Sequence, residues 1–255
     1  VSERRGIAVD VAGVEKRYDG TVVLAGVDLK VAPGELLAIV GQSGEGKSVL
    51  LRILIGLEPP DRGRVLLGGL DVAAYRALAR DEKPFRTAMV FQGAALLGSL
   101  TVWENVALRL IEDGVGEAEC RRAVAGVLAQ VDLEGDEHKR PSELSVGMRK
   151  RVAIARALAV DPDLILYDEP TADLDPLLTE QIARAVRRIQ RERGATQILV
   201  THQLALACDL ADRIAVLHDG RVVDCGPPAA IRESTHPFTR AFVRAATFMH
   251  SEVSC

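Results

Sequence analysis

The stretch "GQSGEGKSVLL", residues 41–51, constrains this chain more than any other. It follows a short apolar run, "ELLAIV", and opens a segment with helical periodicity, "KSVLLRILIGL". Gly41, Gly44 and Gly46 let the backbone curl so that successive N–H groups face inward as a nest for an anion. A helix starting near Lys47 adds its positive dipole end. Residues 41–48 fit G-x-x-x-x-G-K-[ST] in the strand-to-helix setting that this pattern requires. Gly41, Ser43, Gly44, Glu45 and Gly46 then surround phosphates, with Val49 in the helical turn behind them. Lys47 offers a point charge to the β- and γ-phosphates of a nucleotide, and Ser48 is a ligand for Mg²⁺. A glycine-rich turn that merely contains Lys-Ser is the plain alternative, which the eight-residue match in context outweighs.

The remaining chain alternates strands and helices. "IAVDVAGVEKRY" and "VVLAGVDLKV" read as strands broken by Asp19-Gly20 and Pro33-Gly34. Residues 94–159 are mostly helical in pattern, with Thr101 or Ser99 as a cap for "VWENVALRLIE". "LILYDE" and "TQILVTH" are apolar on both faces, as strands inside a parallel sheet are. Asp175 caps a helix opened by Pro176 and closed by Gly194, and "RIAVLHDGRVVDCG" reads as a hairpin turning at Asp219-Gly220. The pattern predicts an α/β protein with a mainly parallel sheet.

Bulk properties narrow the function classes. A net charge of −4 speaks against a broad basic surface for nucleic acid. Four cysteines without CxxC spacing predict free thiols in a reducing compartment, not a disulfide framework. No apolar run approaches the roughly 20 residues of a bilayer span, and "VSERRGIAVDVAG" lacks a signal-peptide core. Action at a membrane therefore requires another chain to provide the span.

"LILYDE" sets Asp168 and Glu169 at the C-terminal end of a buried strand, where open α/β sheets hold ligands. Asp168 suits Mg²⁺, and Glu169 suits a general base for an attacking water. An ordinary strand end carrying two acids is the equal alternative for this pair alone.

With "ELSVGMRKRVAIARAL" just upstream of "LILYDEPTADLDP", the sequence resembles the nucleotide-binding subunits of ABC transporters over nearly its whole length. The resemblance implies a P-loop NTPase with a RecA-like sheet, an N-terminal antiparallel β subdomain and an inserted helical subdomain at about 93–159. The ATPase domain would span 1–226 and a helical tail 227–255. It implies ATP and Mg²⁺ as ligands. "FQGAALL" then supplies Gln92, which touches Mg²⁺ or the attacking water near the membrane partner, and "LVTHQ" supplies His202, which meets the γ-phosphate and steadies Glu169. Tyr18 stacks on adenine, and Asp175 belongs to the loop at the dimer seam. Taken singly, Tyr18 also reads as a core aromatic, Gln92 as a surface amide and His202 as a structural histidine.

Ser145 leads a helix whose free N–H groups form a second anion site. Since residues 41–48 already cradle phosphate, the resemblance implies a head-to-tail homodimer, with Ser145 and Gly147 of one copy closing on ATP held by the other. Three positions depart from the family pattern: Val146 in place of glycine, Asp173 in place of a small residue, and Gln203 where an acid is common. At an ordinary helical φ, Val146 costs only a few tenths of a kcal/mol. None of the three removes a catalytic group, so an active ATPase is expected.

The cargo is less constrained. "SVLLR" and "GMRKR" look like the ATPase of Mla (MCE-associated) lipid transport systems, which work with an integral-membrane permease, an MCE-domain protein and often a STAS-domain protein. That resemblance implies a peripheral subunit on the cytoplasmic face of the inner membrane, moving phospholipid. The rival is the same motor serving an amino-acid or other small-solute importer. A nucleic-acid ATPase is disfavoured by the short interval between Gln92 and Ser145, which holds no heptads. A small-molecule kinase has no need of the "ELSVG" helix. In the tail, Phe238, Phe242, Ala245 and Phe248 form a predicted stripe that either docks on its own domain or reaches a partner.

Overall fold

The computed structural model describes residues 6–251, with side chains through residue 246. Two sheets organise it. Strands β1 (Val9–Tyr18), β2 (Thr21–Val31), β4 (Arg62–Leu67) and β5 (Leu70–Asp71) form an antiparallel sheet in the order β2-β1-β4-β5. Six strands form the second: β3 (Leu36–Val40), β6 (Thr87–Val90), β7 (Leu164–Asp168), β8 (Thr196–Thr201), β9 (Arg213–His218) and β10 (Arg221–Gly226). Their order is β10-β9-β3-β8-β7-β6, parallel except for the β9–β10 hairpin. The expected mainly parallel sheet with an N-terminal antiparallel sheet is borne out.

The described residues also hold nine α-helices, besides short 3-10 turns at Arg80–Glu82 and Pro141–Glu143: α1 (Lys47–Leu54), α2 (Val72–Ala77), α3 (Val102–Glu112), α4 (Glu117–Gln130), α5 (Val146–Leu158), α6 (Pro176–Arg193), α7 (Leu204–Leu210), α8 (Pro228–Arg232) and α9 (Pro237–Ser251). None is long and apolar enough to cross a membrane. The parallel sheet is covered on both faces, which explains its continuous apolar strands. In β3, Leu37 and Ile39 face a core shared with α1, β1 and β2, whereas Leu36, Ala38 and Val40 face a core built from α3 to α7. Successive strand residues point to opposite faces, so one five-residue strand serves both cores.

Local chemistry matches the elements. Asp19 and Asp219 both adopt positive φ and are each followed by a positive-φ glycine, the conformation that a two-residue hairpin turn requires. Thr101, not Ser99, caps α3: its Oγ1 accepts from the Glu104 N–H while Glu104 accepts from the Thr101 N–H. Asp175 caps α6 by accepting from the Leu178 N–H at 2.9 Å, and Gly194 ends that helix in the left-handed region.

The tail corrects one detail of the sequence reading. Phe238, Phe242, Val243 and Ala246 pack against the core and Thr239 is fully buried, whereas Ala245 is exposed. The stripe packed on the core runs through 238/239, 242/243 and 246, at the i, i+4 and i+8 spacing of one helix face. Phe248 lies outside the residues whose side chains are described.

Asn105 ties the loop before α3 to that helix. Fully buried, it donates to the carbonyls of Leu97, Leu100 and Thr101 and accepts from the Leu97 N–H. Asn105→Ala leaves the Leu97 N–H and the Leu100 carbonyl without their partner, whereas Leu97 O and Thr101 O keep backbone donors; urea denaturation should register a loss of about 2 kcal/mol.

Candidate functional site

The register of the parallel sheet brings three segments to one edge. Val40 lies opposite Thr201, and Asp168 lies opposite Val200, so the chain leaves β3, β7 and β8 side by side. Residues 41–48 leave β3 and lead into α1. Gly44 and Gly46 adopt φ of +87° and +90°, conformations closed to ordinary side chains. A Cβ on Gly46 would also sit 2.9 Å from Val23 Cγ1 and 3.0 Å from Leu24 Cδ2, so the loop closes only with glycine there. Ser43 is exposed on the loop, and Val49 packs partly into the core beneath it.

Lys47 is buried, and its Nζ donates to the carbonyls of Gly41 at 2.9 Å and Gln42 at 2.7 Å. Burial pushes this ammonium below its ordinary value, an effect opposed by Glu169, Glu45 and Asp168. Ser48 Oγ donates to Asp168 Oδ1 at 2.7 Å across 120 residues of sequence. The two candidate Mg²⁺ ligands are thus already together, and both are hard oxygen donors of the kind that ion takes. The residues present fit the metal.

Glu169 follows directly, with a φ of +46° and its N–H bonded to Val200 O. His202 leaves the end of β8, and its Nδ1 donates to Glu169 Oε2 at 2.9 Å; the carboxylate can only accept. His202 is about half exposed, so its ring joins the buried acid to the surface.

Other expected residues are more dispersed. Gln92 is exposed just beyond β6 and makes no hydrogen bond to Ser48 or Asp168. Tyr18 ends β1, 39 % exposed, with its hydroxyl donating to Glu58; burial and that carboxylate hold the phenol above its usual value. Ser145 caps α5, accepting from the Met148 N–H at 3.2 Å. Val146 is the first residue of the helix and is outside the positive-φ set, so its side chain is accommodated without strain. Gly147 keeps α5 close to α6: a Cβ there would fall 2.9 Å from Leu178 Cδ2. Asp175 turns its carboxylate to its own helix, and Asp173 is exposed at φ +61°.

Glu45 departs from the phosphate-loop reading. Its carboxylate accepts from His218 Nδ1 at 3.0 Å and from the Asp219 N–H at 2.7 Å, so the side chain is engaged with the β9–β10 turn. Sequence reasoning missed His218, and it missed Lys150. Lys150 is buried on α5 and donates to the Ala172 carbonyl at 2.6 Å; burial lowers its pKa, opposed by Asp173 and Glu169. The only sequence signal for Lys150 was a cation one helical turn beyond the cap at Ser145.

Residues 24–172 match the family model described as ABC transporter. The chain belongs to the ABC transporter family. It is the family's ATP-binding subunit and an ABC-type ATPase. Among its relatives, the sulfate/thiosulfate import ATP-binding protein of Caulobacter vibrioides is 41 % identical over 253 residues, covering 97 % of this chain and 73 % of that protein. The methionine import ATP-binding protein of Cereibacter sphaeroides is 42 % identical over 248 residues, 95 % of this chain and 70 % of that protein. A glycerol-3-phosphate import ATP-binding protein of Chromohalobacter salexigens is 43 % identical across 86 % of this chain and 58 % of its own length. In three dimensions the chain is similar to the ATP-binding cassette MJ0796, a dimer in a post-hydrolysis state bound to ADP and phosphate. The TM-score is 0.77 and the identity 34 %, over 86 % of this chain and 98 % of that one.

These relatives are named as importers of small solutes. The narrower expectation of an Mla-type lipid ATPase, with MCE- and STAS-domain partners, draws no support from them.

Lys150→Met removes the donor that holds the Ala172 carbonyl while keeping the side-chain length. Amide exchange at residues 171–174 should accelerate by about tenfold, the equivalent of about one hydrogen bond, with exchange in β8 unchanged.

Proposed function

We propose that this ABC ATPase hydrolyses ATP at the edge shared by β3, β7 and β8 and powers an importer of a small solute through a separate permease. The observation that carries the reaction is the pairing of Ser48 with Asp168 beside the pairing of His202 with Glu169. Lys47 exchanges its two loop carbonyls for the β- and γ-phosphate oxygens. Ser48 and Asp168 hold Mg²⁺, which when bound supplies positive charge to those oxygens. Glu169 Oε accepts a proton from the attacking water, and His202 fixes that carboxylate through Nδ1. Gln92 joins this set from its loop, and Tyr18 stacks on adenine at the end of β1.

Ser145, Gly147 and the first turn of α5 serve the nucleotide of a second copy. The helix N-terminus offers free N–H groups, and the exposed Val146 and Leu177 lie at the same seam. The dimeric state of MJ0796, bound to ADP and phosphate, supports this arrangement. The permease docks on the groove of about 720 Å³ between β6 and α3, lined by Leu57, Lys83, Met89, Phe91 and Arg109 among others. Such docking puts the ATPase at the cytoplasmic face of the cell membrane as a peripheral subunit.

Small-solute import is favoured over lipid transport by the names of the relatives. The lipid reading keeps one specific observation, the "SVLLR" and "GMRKR" segments. Co-purification of the native complex distinguishes the two. A periplasmic solute-binding protein among the bound chains supports import, and an MCE-domain protein with bound phospholipid supports the lipid system.

Glu169→Gln should lower turnover by about a thousandfold, as expected on losing a catalytic base, and accumulate an ATP-bound dimer in sedimentation. Lys47→Ala should weaken ATP binding by about a hundredfold in a fluorescent-nucleotide titration, because a buried charge-assisted contact is lost. Normal turnover by Glu169→Gln protein would contradict the base assignment.

A further inference from the structure

A carboxylate is out of place in a loop built to hold phosphate. Glu45 sits between Gly44 and Gly46, and its charge reaches Lys47 strongly enough to oppose the effect of burial on that ammonium. Turned toward the nest, the carboxylate would repel a triphosphate. Here it is held elsewhere. His218 Nδ1 and the Asp219 N–H both donate to it, at 3.0 and 2.7 Å. The other ring nitrogen, Nε2, lies 3.4 Å from Asp219 Oδ2.

The ring that restrains Glu45 is itself restrained. Phe238, in the first turn of α9, stacks on His218 with centroids 3.6 Å apart and planes within 6°. Phe242 follows one turn later, 6.0 Å from Phe238, against the same core. A continuous chain of contacts thus runs from the phosphate loop through the end of β9 to the tail helix.

We propose that His218 is a positioning residue of the ATPase: it draws Glu45 out of the phosphate nest and takes its own orientation from Phe238 of the tail. The tail helix thereby sets nucleotide affinity without touching the nucleotide. This inference rests on the reading of residues 41–48 as the ATP site.

The test is a titration of the full-length protein with a fluorescent ADP analogue, in the wild-type and Glu45→Gln backgrounds. His218→Ala should weaken binding about tenfold in the wild type and less than about twofold with Glu45→Gln, because no carboxylate remains to be released. His218→Asn, which keeps a donor near the Nδ1 position, should bind within about threefold of wild type. Phe238→Ala should weaken binding about threefold alone and add nothing to His218→Ala. Saturating ATP should restore kcat in the His218 and Phe238 variants, while melting temperatures report that all variants are folded. Equal losses in both backgrounds, or no loss in the wild type, overturns the proposal. Wild-type protein that fails to bind, or Lys47→Ala protein that binds equally well, overturns the nucleotide reading itself.

Discussion

Everything at this site depends on the parallel register of β3, β8 and β7. Val40 opposite Thr201 and Val200 opposite Asp168 deliver the phosphate loop, His202 and the Asp168-Glu169 pair to one edge. The Ser48–Asp168 bond then joins the first turn of α1 to the end of β7 across 120 residues of sequence. A slip of one residue would exchange the inward and outward faces of a strand and send Leu36, Ala38 and Val40 into the wrong core. Burial on both faces is what forbids that slip, so the hydrophobic cores and the catalytic geometry are specified together.

Glu169 is the centre of the local charge balance. Two buried ammonium groups, Lys47 on α1 and Lys150 on α5, are pushed toward neutrality by burial, and Glu169 opposes the effect at both. His202 bonds the same carboxylate. Burying a cation is costly unless carbonyls and an anion surround it, and both lysines have the two. One acid therefore joins the phosphate loop, the helix led by Ser145 and the turn through Asp173.

The legible part of this architecture was written in local patterns. Residues 41–48 need glycine at fixed spacing for positive φ, and that need survives in the sequence whatever the fold around it. Alternating β-branched runs and capping residues such as Thr101 and Asp175 marked elements for the same local reason. What escaped were pairings between ordinary residues far apart. Glu45 meets His218 across 173 positions, and nothing about a histidine before Asp-Gly announces a partner in the phosphate loop. Lys150 reads as one cation among several in "GMRKR" until α5 is packed against the Ala172 turn. The tail stripe was assigned one position off at Ala245 because periodicity gives a face only to within a fraction of a turn. Gln92 and Tyr18 occupy the expected segments, but their roles depend on groups that bind there, and no local pattern fixes that geometry.

The central claim is that each nucleotide is gripped by the phosphate loop of one copy and the Ser145 helix end of another. Two defective proteins, one carrying Lys47→Ala and the other Ser145→Arg, each in a hydrolysis-blocked background, decide it by the ATP retained after rapid gel filtration. Mixed together they should form a dimer with one intact composite site and retain ATP that neither parent retains alone. A mixture that retains no more ATP than its parents would contradict the head-to-tail site.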